Sequence, residues 1–578
     1  MASSSLISAV SQYEKYIESN GINESVVNAY IEATQVALQT EKDVEYGLKI
    51  SARAKQLVEK FIFDSTGGTA WDLEKFAFKN KVQYDILDKY YSVLLAEAQN
   101  KIVDSGFMYL EKKREPKERF YMPRRKQFLK IGLTQALQGM IDDKYDILCV
   151  SLIPGAGKTT VEKMFNALVA GWYPKDFSLF YSHSGDITRM YFDGVYDIVT
   201  NSDEYTWSEI FPNLHVTSTN AKLEQFNIGK YKPFPSVQCT SVGSKNSGKV
   251  RSSKYLLVDD LIGGVEEALN PTILDKLWNK YAVDARQRKI QDTDGHNCKE
   301  IHIATRWSVR DVIGRIQNMY AGNPRVKVIA VPDIDPETGE SNFDYEFSGF
   351  TKEFFEDQQL LMDDISYRCL YKQEPIEREG LLFPDDKIRR YLNLPHGEPE
   401  IITAQCDTKG KGTDYFVMPI LQKYGEDYYC VDCVCDNTAD YEMQYENAAN
   451  VIANNKVQEC EFERNAGGDR VAMEVNKRVL SKGWVCNITD MPTETNKEAR
   501  IFQCSNWILQ HVIFKDSQLY SPKEPYGVMV GLLKQYSVSG KKQLDDVPDV
   551  FSNFALRITQ SNKTAKIEAA INPFRRRY

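Results

Sequence analysis

Two successive α/β units behind a helical N-terminal extension are the fold class that the sequence predicts. Three observations carry it. The stretch SLIPGAGKTT at 151–160 joins an apolar strand to a helix through a glycine-rich turn. Apolar strand-like runs then alternate with helical patterns through DILCVSL, FSLFYSH, KYLLVDD, EIHIATRW and VKVIAVP, as a mostly parallel sheet covered by helices on both faces requires. A second α/β pattern opens at IITAQCD.

Taken in order, residues 1 to 110 read as helical, with Val27, Tyr30, Ile31, Thr34, Ala37 and Leu38 on one face. No chemistry shows there. A basic stretch follows at 111–126, EKKREPKERFYMPRRK, with eight Lys/Arg against three Glu. It reads either as a solvated linker or as a contact for a phosphate backbone, as does the chain end NPFRRRY.

The strand Asp146–Val150 runs into the loop, and Val161–Ala170 continues as a helix with no breaker. Gly155 and Gly157 allow backbone dihedrals and a close approach that side chains would block, with Ala156 between them. Successive N–H groups can then converge on phosphate oxygens at a helix N-terminus. Lys158 would reach the β and γ phosphates and Thr159 a Mg²⁺ ion, with Thr160 next in the first turn. The strict pattern asks for glycine where this chain has Leu152. An ordinary strand-to-helix turn is the plain alternative.

The run Lys254–Asp260 is an apolar strand ending in two acids. In open α/β sheets ligands sit at the carboxyl ends of strands, so Asp259 would hold the Mg²⁺ shell and Asp260 would orient or deprotonate the attacking water. Ile301–Trp307 is another buried strand, and Thr305 at its end would sense the γ-phosphate. The acidic loop VPDIDPETGESNFDYEF closes this unit, and EPIEREGLLFPDDK reads as an extended linker.

In the second α/β unit Asp407 ends an apolar run, Glu463 follows an apolar helix and a short strand, and Asp545, Asp546 and Asp549 open a helix. Residues 546 and 549 share one face at i, i+3 spacing. Carboxylates that meet in one pocket repel unless cations are bound, and hard oxygen ligands suit Mg²⁺ or Mn²⁺. Two such ions about 4 Å apart would clamp the oxygens of a phosphodiester. Cys430, Cys433 and Cys435 cluster without histidine or a second pair, so buried thiols are expected in place of zinc.

Composition bounds the rest. At 578 residues, about three or four domains are expected. With 42% hydrophobic and 26% charged residues, the chain reads as globular. No apolar run approaches the roughly 18 residues of a membrane span, and the N-terminus lacks a secretory pattern, so an intracellular protein is expected. Eleven dispersed cysteines argue against a disulfide framework, and the net charge of −9 argues against a surface coated in nucleic acid.

Eight segments in order resemble the large terminase subunit of tailed double-stranded DNA bacteriophages. They are PGAGKTT, FYSHSGDITRMYFDGVYDIV, TSVGSKNSGKVRSSKYLLVDDLI, IATRWSVRDVIGRI, YKQEPIEREGLLF, FERNAGG, TNKEARI and LDDVPDVFSNFA. The resemblance runs from about residue 120 to 560 and implies an α/β chain: a P-loop NTPase domain with a mostly parallel sheet, then a ribonuclease-H-like mixed-sheet nuclease domain. The expected boundaries are a helical accessory region 1–115, ATPase 116–345, linker 346–395, nuclease 396–560 and a basic tail 561–578. The implied activity is an ATP-driven motor that moves viral double-stranded DNA into procapsids and cuts concatemers.

By this resemblance Gly155, Ala156, Gly157, Lys158, Thr159, Thr160 and Asp259 bind ATP with Mg²⁺, and Asp260 and Thr305 serve hydrolysis and coupling. Asp407, Glu463 and Asp546 match the nuclease acids, with Asp549 as a fourth, holding two Mg²⁺ or Mn²⁺. The implied partners are double-stranded DNA, the capsid portal protein, the small terminase subunit and copies of the chain in a ring on the portal, with monomers in solution and no membrane. The implied location is the host cytoplasm, transiently on the procapsid and outside the virion.

Many relatives carry an arginine in the phosphate loop where this chain has Pro154-Gly155-Ala156, which leaves Arg189, Arg251 and Arg306 as candidates. Leu544 stands where relatives often have His, so Asp545 and Asp546 compete for the metal. A helicase-like repair or restriction motor with an appended nuclease, and a nucleotide-binding scaffold without catalysis, are the rival readings. Only one motor domain is visible, whereas a processive helicase usually has two.

Overall fold

A computed structural model describes residues 2–571 except 41, 245–248, 269, 363, 376–381, 409–413, 439, 465–467, 492–496 and 538–542. The tail NPFRRRY, residues 376–381 of the linker, Lys409–Gly412 and parts of the glycine-rich, FERNAGG and TNKEARI segments therefore lie outside the described residues. Two compact units divide the chain: residues 1–268, 272–358 and 367–375, and residues 269–271, 359–366 and 376–578.

The first unit begins with the helices Ser4–Asn20, Glu24–Gln35, Val44–Thr66, Ala70–Asn80, Asp85–Gln99 and Val103–Leu110. Ser3, Asn23, Asp43 and Thr69 each accept a hydrogen bond from a first-turn amide, which satisfies donors that a helix start leaves open. Val27, Tyr30, Thr34 and Ala37 are buried, and Ile31 and Leu38 half-buried, as their shared face requires. The helices are built onto the following α/β layer. Trp172 donates its indole N–H to the Ala98 carbonyl at 2.7 Å, and Gly106 lets Leu168 approach where a Cβ would lie 2.9 Å from it.

The basic stretch is neither a solvated linker nor a free cationic surface. Arg125 pairs with Asp104 at 2.8 Å, Arg114 with Glu204 at 2.9 Å and Lys113 with Glu209 at 2.9 Å, while Arg119 forms a buried pair with Glu74. Those carboxylates come from elements distant in sequence, so the charges fasten helices together. Lys117 and Lys126 remain exposed.

The first sheet contains β1 (Ile147–Ser151), β2 (Ser178–Ser182), β3 (Val216–Asn220), β4 (Gln225–Ile228), β5 (Val237–Ser241), β6 (Tyr255–Asp259), β7 (Lys299–Ile303) and β8 (Val326–Ala330). Its order is β3-β4-β5-β2-β6-β7-β1-β8, parallel from β5 to β8, with β4 antiparallel to both neighbours. The apolar runs fill the central strands, every residue of β1, β2, β6 and β7 being buried. One strand, β7, separates β1 from β6, so the phosphate-loop, Thr305 and Asp259-Asp260 segments leave the same sheet edge side by side.

The second unit holds β9 (Arg390–Tyr391), β10 (Ile401–Cys406), β11 (Phe416–Tyr424), β12 (Asp427–Asp436), β13 (Glu459–Glu463), β14 (Asn487–Met491) and β15 (Val512–Lys515), in the order β14-β13-β10-β11-β12-β15-β9. The antiparallel β10-β11-β12 meander, extended by β13 and β14 parallel to β10, is a ribonuclease-H-like mixed sheet. Alternation along the strands feeds two cores. Ala404, Met418, Ile420 and Phe462 pack with Ile452 and Val475 on one face, and Val417, Leu421 and Phe514 with Phe551 and Phe554 on the other. Cys430, Cys433 and Cys435 are buried in β12, their thiols pushed up by burial, as the thiol reading expects. Among the described residues no helix is long and apolar enough to cross a membrane.

Candidate functional site

In the first unit β1 ends at Ser151 and the helix Lys158–Trp172 begins after Gly157. Gly155 and Gly157 have φ of +78° and +93°, the left-handed region that a side chain disfavours. Aromatic rings close on both glycines: a Cβ would lie 2.2 Å from Phe120 at 157 and 2.8 Å from Phe350 at 155. Tyr345 donates its hydroxyl to the Ala156 carbonyl at 3.3 Å. Sequence reasoning missed these three rings, two of which come from the end of the acidic loop and just past it. Lys158 is buried and donates its ammonium to the Leu152 and Ile153 carbonyls at 2.7 and 3.1 Å, so its charge lies within the turn. Burial holds its pKa below the usual lysine range. Thr160 is exposed in the first turn.

Thr159 donates its hydroxyl to Asp259 Oδ2 at 2.8 Å, joining the loop to β6 across β7. Asp259 is buried, and its Oδ1 has no hydrogen-bond partner among the described residues. Burial with the neighbouring Asp260 charge pushes its carboxyl up to about 7. An orphaned buried carboxylate oxygen beside a threonine hydroxyl is a donor set that suits Mg²⁺. Asp260 adopts φ +33°, held by its N–H to the Ile303 carbonyl at 2.9 Å and by the Thr305 N–H donated to its Oδ1 at 2.9 Å. The end of β7 thus fixes the second acid through the Thr305 backbone. His183 Nδ1 lies against the Asp260 carbonyl. Glu162, one turn into the helix, is fully buried with neither carboxylate oxygen paired among the described residues, and burial drives its carboxyl well up. Nothing in the sequence marks Glu162, because a lone acid on a helix is ordinarily solvated.

Of the three candidate arginines, Arg306 is buried and bonded to Asp311 at 3.0 Å and Gln317 at 2.7 Å. Arg189 is tied to Asp193 at 2.9 Å and to the Ala221 carbonyl at 2.7 Å. Arg251 donates to the Val250 carbonyl at 2.9 Å and has no carboxylate partner among the described residues.

In the second unit two neighbouring parallel strands deliver acids side by side. Cys406 registers with Phe462, so Asp407 and Glu463 leave β10 and β13 together. The helix Asp546–Ile571 packs beside β10 and β11 and brings Asp549 to them. One carboxylate oxygen from each of Asp407, Glu463 and Asp549 lies within 4.8 Å of the others. Asp546 falls outside this trio and accepts the Tyr415 N–H at 2.8 Å. Asp545 is half-buried and pairs with Lys497 at 2.8 Å. Burial and repulsion from Asp549, Glu463 and Asp546 hold the Asp407 carboxyl well above the carboxylate range, although Lys497 opposes this. Burial also raises Asp546 and Asp549. Asn553 donates to Glu463 Oε2 at 3.2 Å, and Arg500 to Asp549 Oδ1 at 2.5 Å. The oxygen-only donors fit a hard divalent cation, which would relieve the repulsion. Lys497 and Arg500 were not singled out from sequence; their i, i+3 spacing within the TNKEARI segment was the available signal.

The raised carboxyls have a pH consequence. A metal ion needs them deprotonated, so binding must release protons. Because the folded-state values of Asp407, Asp546 and Asp549 lie above the ordinary range, Mn²⁺ affinity at this centre is expected to go on climbing with pH above the range in which ordinary carboxylates have finished ionising. Calorimetric titration of the nucleotide-free protein in buffers of different ionisation enthalpy would show the proton release, and a flat profile would contradict it.

A second ligand-type group, Asp292, Asp294 and His296, also falls within 4.8 Å. There Asp292 is already paired with Lys254 at 2.7 Å and accepts two loop amides.

A mostly parallel sheet with a glycine-rich loop between strand and helix, and a ribonuclease-H-like mixed sheet with an acid trio, carried in one chain, define the class of two-unit α/β proteins to which this one belongs. Residues 406–512 match the family model described as Terminase Bacteriophage T7, Ribonuclease H-like domain, which bears out the resemblance to large terminase subunits. Solved structures with similarity include the large terminase of a thermophilic bacteriophage, 14% identical, covering 75% of this chain and 98% of that one, with a TM-score of 0.32. The HK97 bacteriophage large terminase is 10% identical over 74% of this chain and 94% of its own, with a TM-score of 0.31. The manganese-soaked, inhibitor-bound human cytomegalovirus terminase nuclease domain is 12% identical over 32% and 98%, with a TM-score of 0.26. No curated protein sequence matches the chain.

Proposed function

We propose that the chain is the ATP-driven motor and nuclease of a DNA-packaging machine, moving viral double-stranded DNA into procapsids and cutting concatemers. The observation that carries the reading is the pairing of two separate oxygen-ligand centres, Thr159 with Asp259 and Asp407 with Glu463 and Asp549, the second within the matched terminase segment for its first two acids.

In the motor, Lys158 turns from its own loop carbonyls to the β and γ phosphates, and amides around Gly155, Ala156 and Gly157 receive phosphate oxygens, with Thr160 closing the first turn. Thr159 and Asp259 would hold Mg²⁺, whose charge would offset that developing on the phosphates. Asp260 orients the attacking water and takes its proton, and Thr305, bonded to Asp260 through its amide, reports the γ-phosphate to β7. Of the three candidates, Arg251 alone has no carboxylate partner among the described residues, yet it precedes β6 at the amino end of the sheet, whereas the phosphate loop, Asp259 and Asp260 lie at the carboxyl end.

In the nuclease, Asp407, Glu463 and Asp549 would hold one divalent ion, and Asp546 with Asp549 would offer ligands to a second. Two Mg²⁺ or Mn²⁺ ions would activate water and stabilise the leaving oxygen of a phosphodiester. The proposed partners are double-stranded DNA, a portal protein, a small terminase subunit and further copies of the chain in a ring, acting in the host cytoplasm on the procapsid.

ATP hydrolysis measured with and without linear duplex DNA, alongside Mn²⁺-dependent plasmid cleavage, tests the reading. DNA-stimulated hydrolysis with cleavage and no unwinding of a forked duplex is expected. Strand displacement would favour a helicase-like motor, and neither activity would leave a nucleotide-binding scaffold.

A further inference from the structure

We propose that the Lys497 ammonium holds the place of the second divalent ion in the nuclease centre, so that one ion enters freely and the second only once Lys497 is displaced. The inference rests on the metal-dependent nuclease reading above.

Lys497 opens the helix Lys497–His511, and its ammonium reaches two acids of the centre, Asp546 and Asp549, and Asp545 beside them. It lies 2.8 Å from Asp545 Oδ1, 3.6 Å from Asp546 Oδ1 and 3.3 Å from Asp549 Oδ2. Asp549 is shared. Its carboxylate belongs to the trio with Asp407 and Glu463, and it also faces Lys497. The trio therefore offers oxygen ligands to one ion, whereas the Asp546–Asp549 side already holds a cation.

The two basic residues of this helix differ in what they can do. Arg500 is buried with its guanidinium on Asp549 Oδ1, a fixed counter-charge. The Lys497 side chain keeps 36% of its surface exposed, so it has room to leave. It is also a point charge on a flexible stem, without the fork geometry that locks an arginine. A second ion must replace the ammonium against Asp546 and Asp549, which weakens its binding in the resting protein. The backbone phosphates of duplex DNA offer the ammonium another anion and so favour its departure. The second ion would then load chiefly with DNA in place, which restrains cleavage by a chain that has not engaged substrate.

Mn²⁺ electron paramagnetic resonance on the full chain, without nucleotide or DNA, reads the number of ions in this centre, because only ions about 4 Å apart give an exchange-coupled signal. Wild type is expected to show uncoupled Mn²⁺ where Lys497→Met already shows the coupled pair, with second-ion affinity raised about tenfold or more. Lys497→Arg is expected to behave as wild type. Retention of the first ion by Lys497→Met shows that the centre is folded. A coupled pair at equal Mn²⁺ concentration in wild type and Lys497→Met, or its absence from Lys497→Met, overturns the proposal. If Asp407→Asn binds Mn²⁺ as wild type does, the metal-centre reading itself falls, and the role of Lys497 with it.

Discussion

Lys158→Ala is expected to lower the ATP hydrolysis rate by at least about 10²–10³-fold, the loss that follows removal of a preorganised charge from a phosphoryl-transfer site. The direction follows from where the ammonium lies. It is buried, desolvated and bonded to the Leu152 and Ile153 carbonyls of its own loop, so it can turn to a phosphate without breaking an ion pair. Burial lowers its pKa, which means that a nearby anion is needed to make its charge comfortable. A triphosphate supplies one. Plasmid cleavage by the same variant is expected to stay at the wild-type level, since the acid trio is built within the other compact unit. Retained DNA-stimulated hydrolysis would remove the loop from the mechanism.

Asp407→Asn is expected to abolish Mg²⁺- or Mn²⁺-dependent cleavage, a fall of at least about 10²-fold, with ATP hydrolysis unchanged. It carries a second, opposite signature in stability. The Asp407 carboxyl is raised in the folded protein by burial and by Asp549, Glu463 and Asp546. A carboxyl with a raised folded-state value binds protons more tightly folded than unfolded, so its contribution opposes folding increasingly as pH climbs from the unfolded value through the folded one. Asparagine removes the charge. The metal-free variant is therefore expected to melt at or above the wild-type temperature near pH 7, while the stabilisation that Mn²⁺ gives wild type is lost. Thermal melts with and without Mn²⁺ separate this from a folding defect, which would lower both.

Much of the site was legible because its chemistry is local. A strand, two glycines, a lysine and a threonine lie within one stretch, and the Asp259-Asp260 pair ends an apolar run that had to be a central strand. What lay between them was not legible. That β7 separates β1 from β6, and that Thr305 bonds Asp260 through its amide, depends on strand order, which periodicity does not encode.

The acids of the second unit show the same division. Asp407 and Glu463 are neighbours because Cys406 registers with Phe462, a pairing of residues far apart in sequence. Helical spacing put Asp546 and Asp549 on one face. Which of them meets the trio depends on the angle at which the helix crosses the sheet, and the trio contains Asp549. Charges misled where their partners were remote. The stretch 111–126 looked solvated or DNA-facing because Glu74, Asp104, Glu204 and Glu209, which its basic residues pair with, lie in other elements.

Anomalous diffraction at the manganese edge, from crystals grown with Mn²⁺ and a non-hydrolysable ATP analogue, tests most directly whether one chain carries two separate metal-assisted phosphoryl centres. The expected map has one peak in coordination distance of Thr159 and Asp259, and at least one other bound by Asp407, Glu463 and Asp549. Nucleotide bound at the loop with no manganese among those three acids, or manganese there with the nucleotide held away from Lys158, would contradict it.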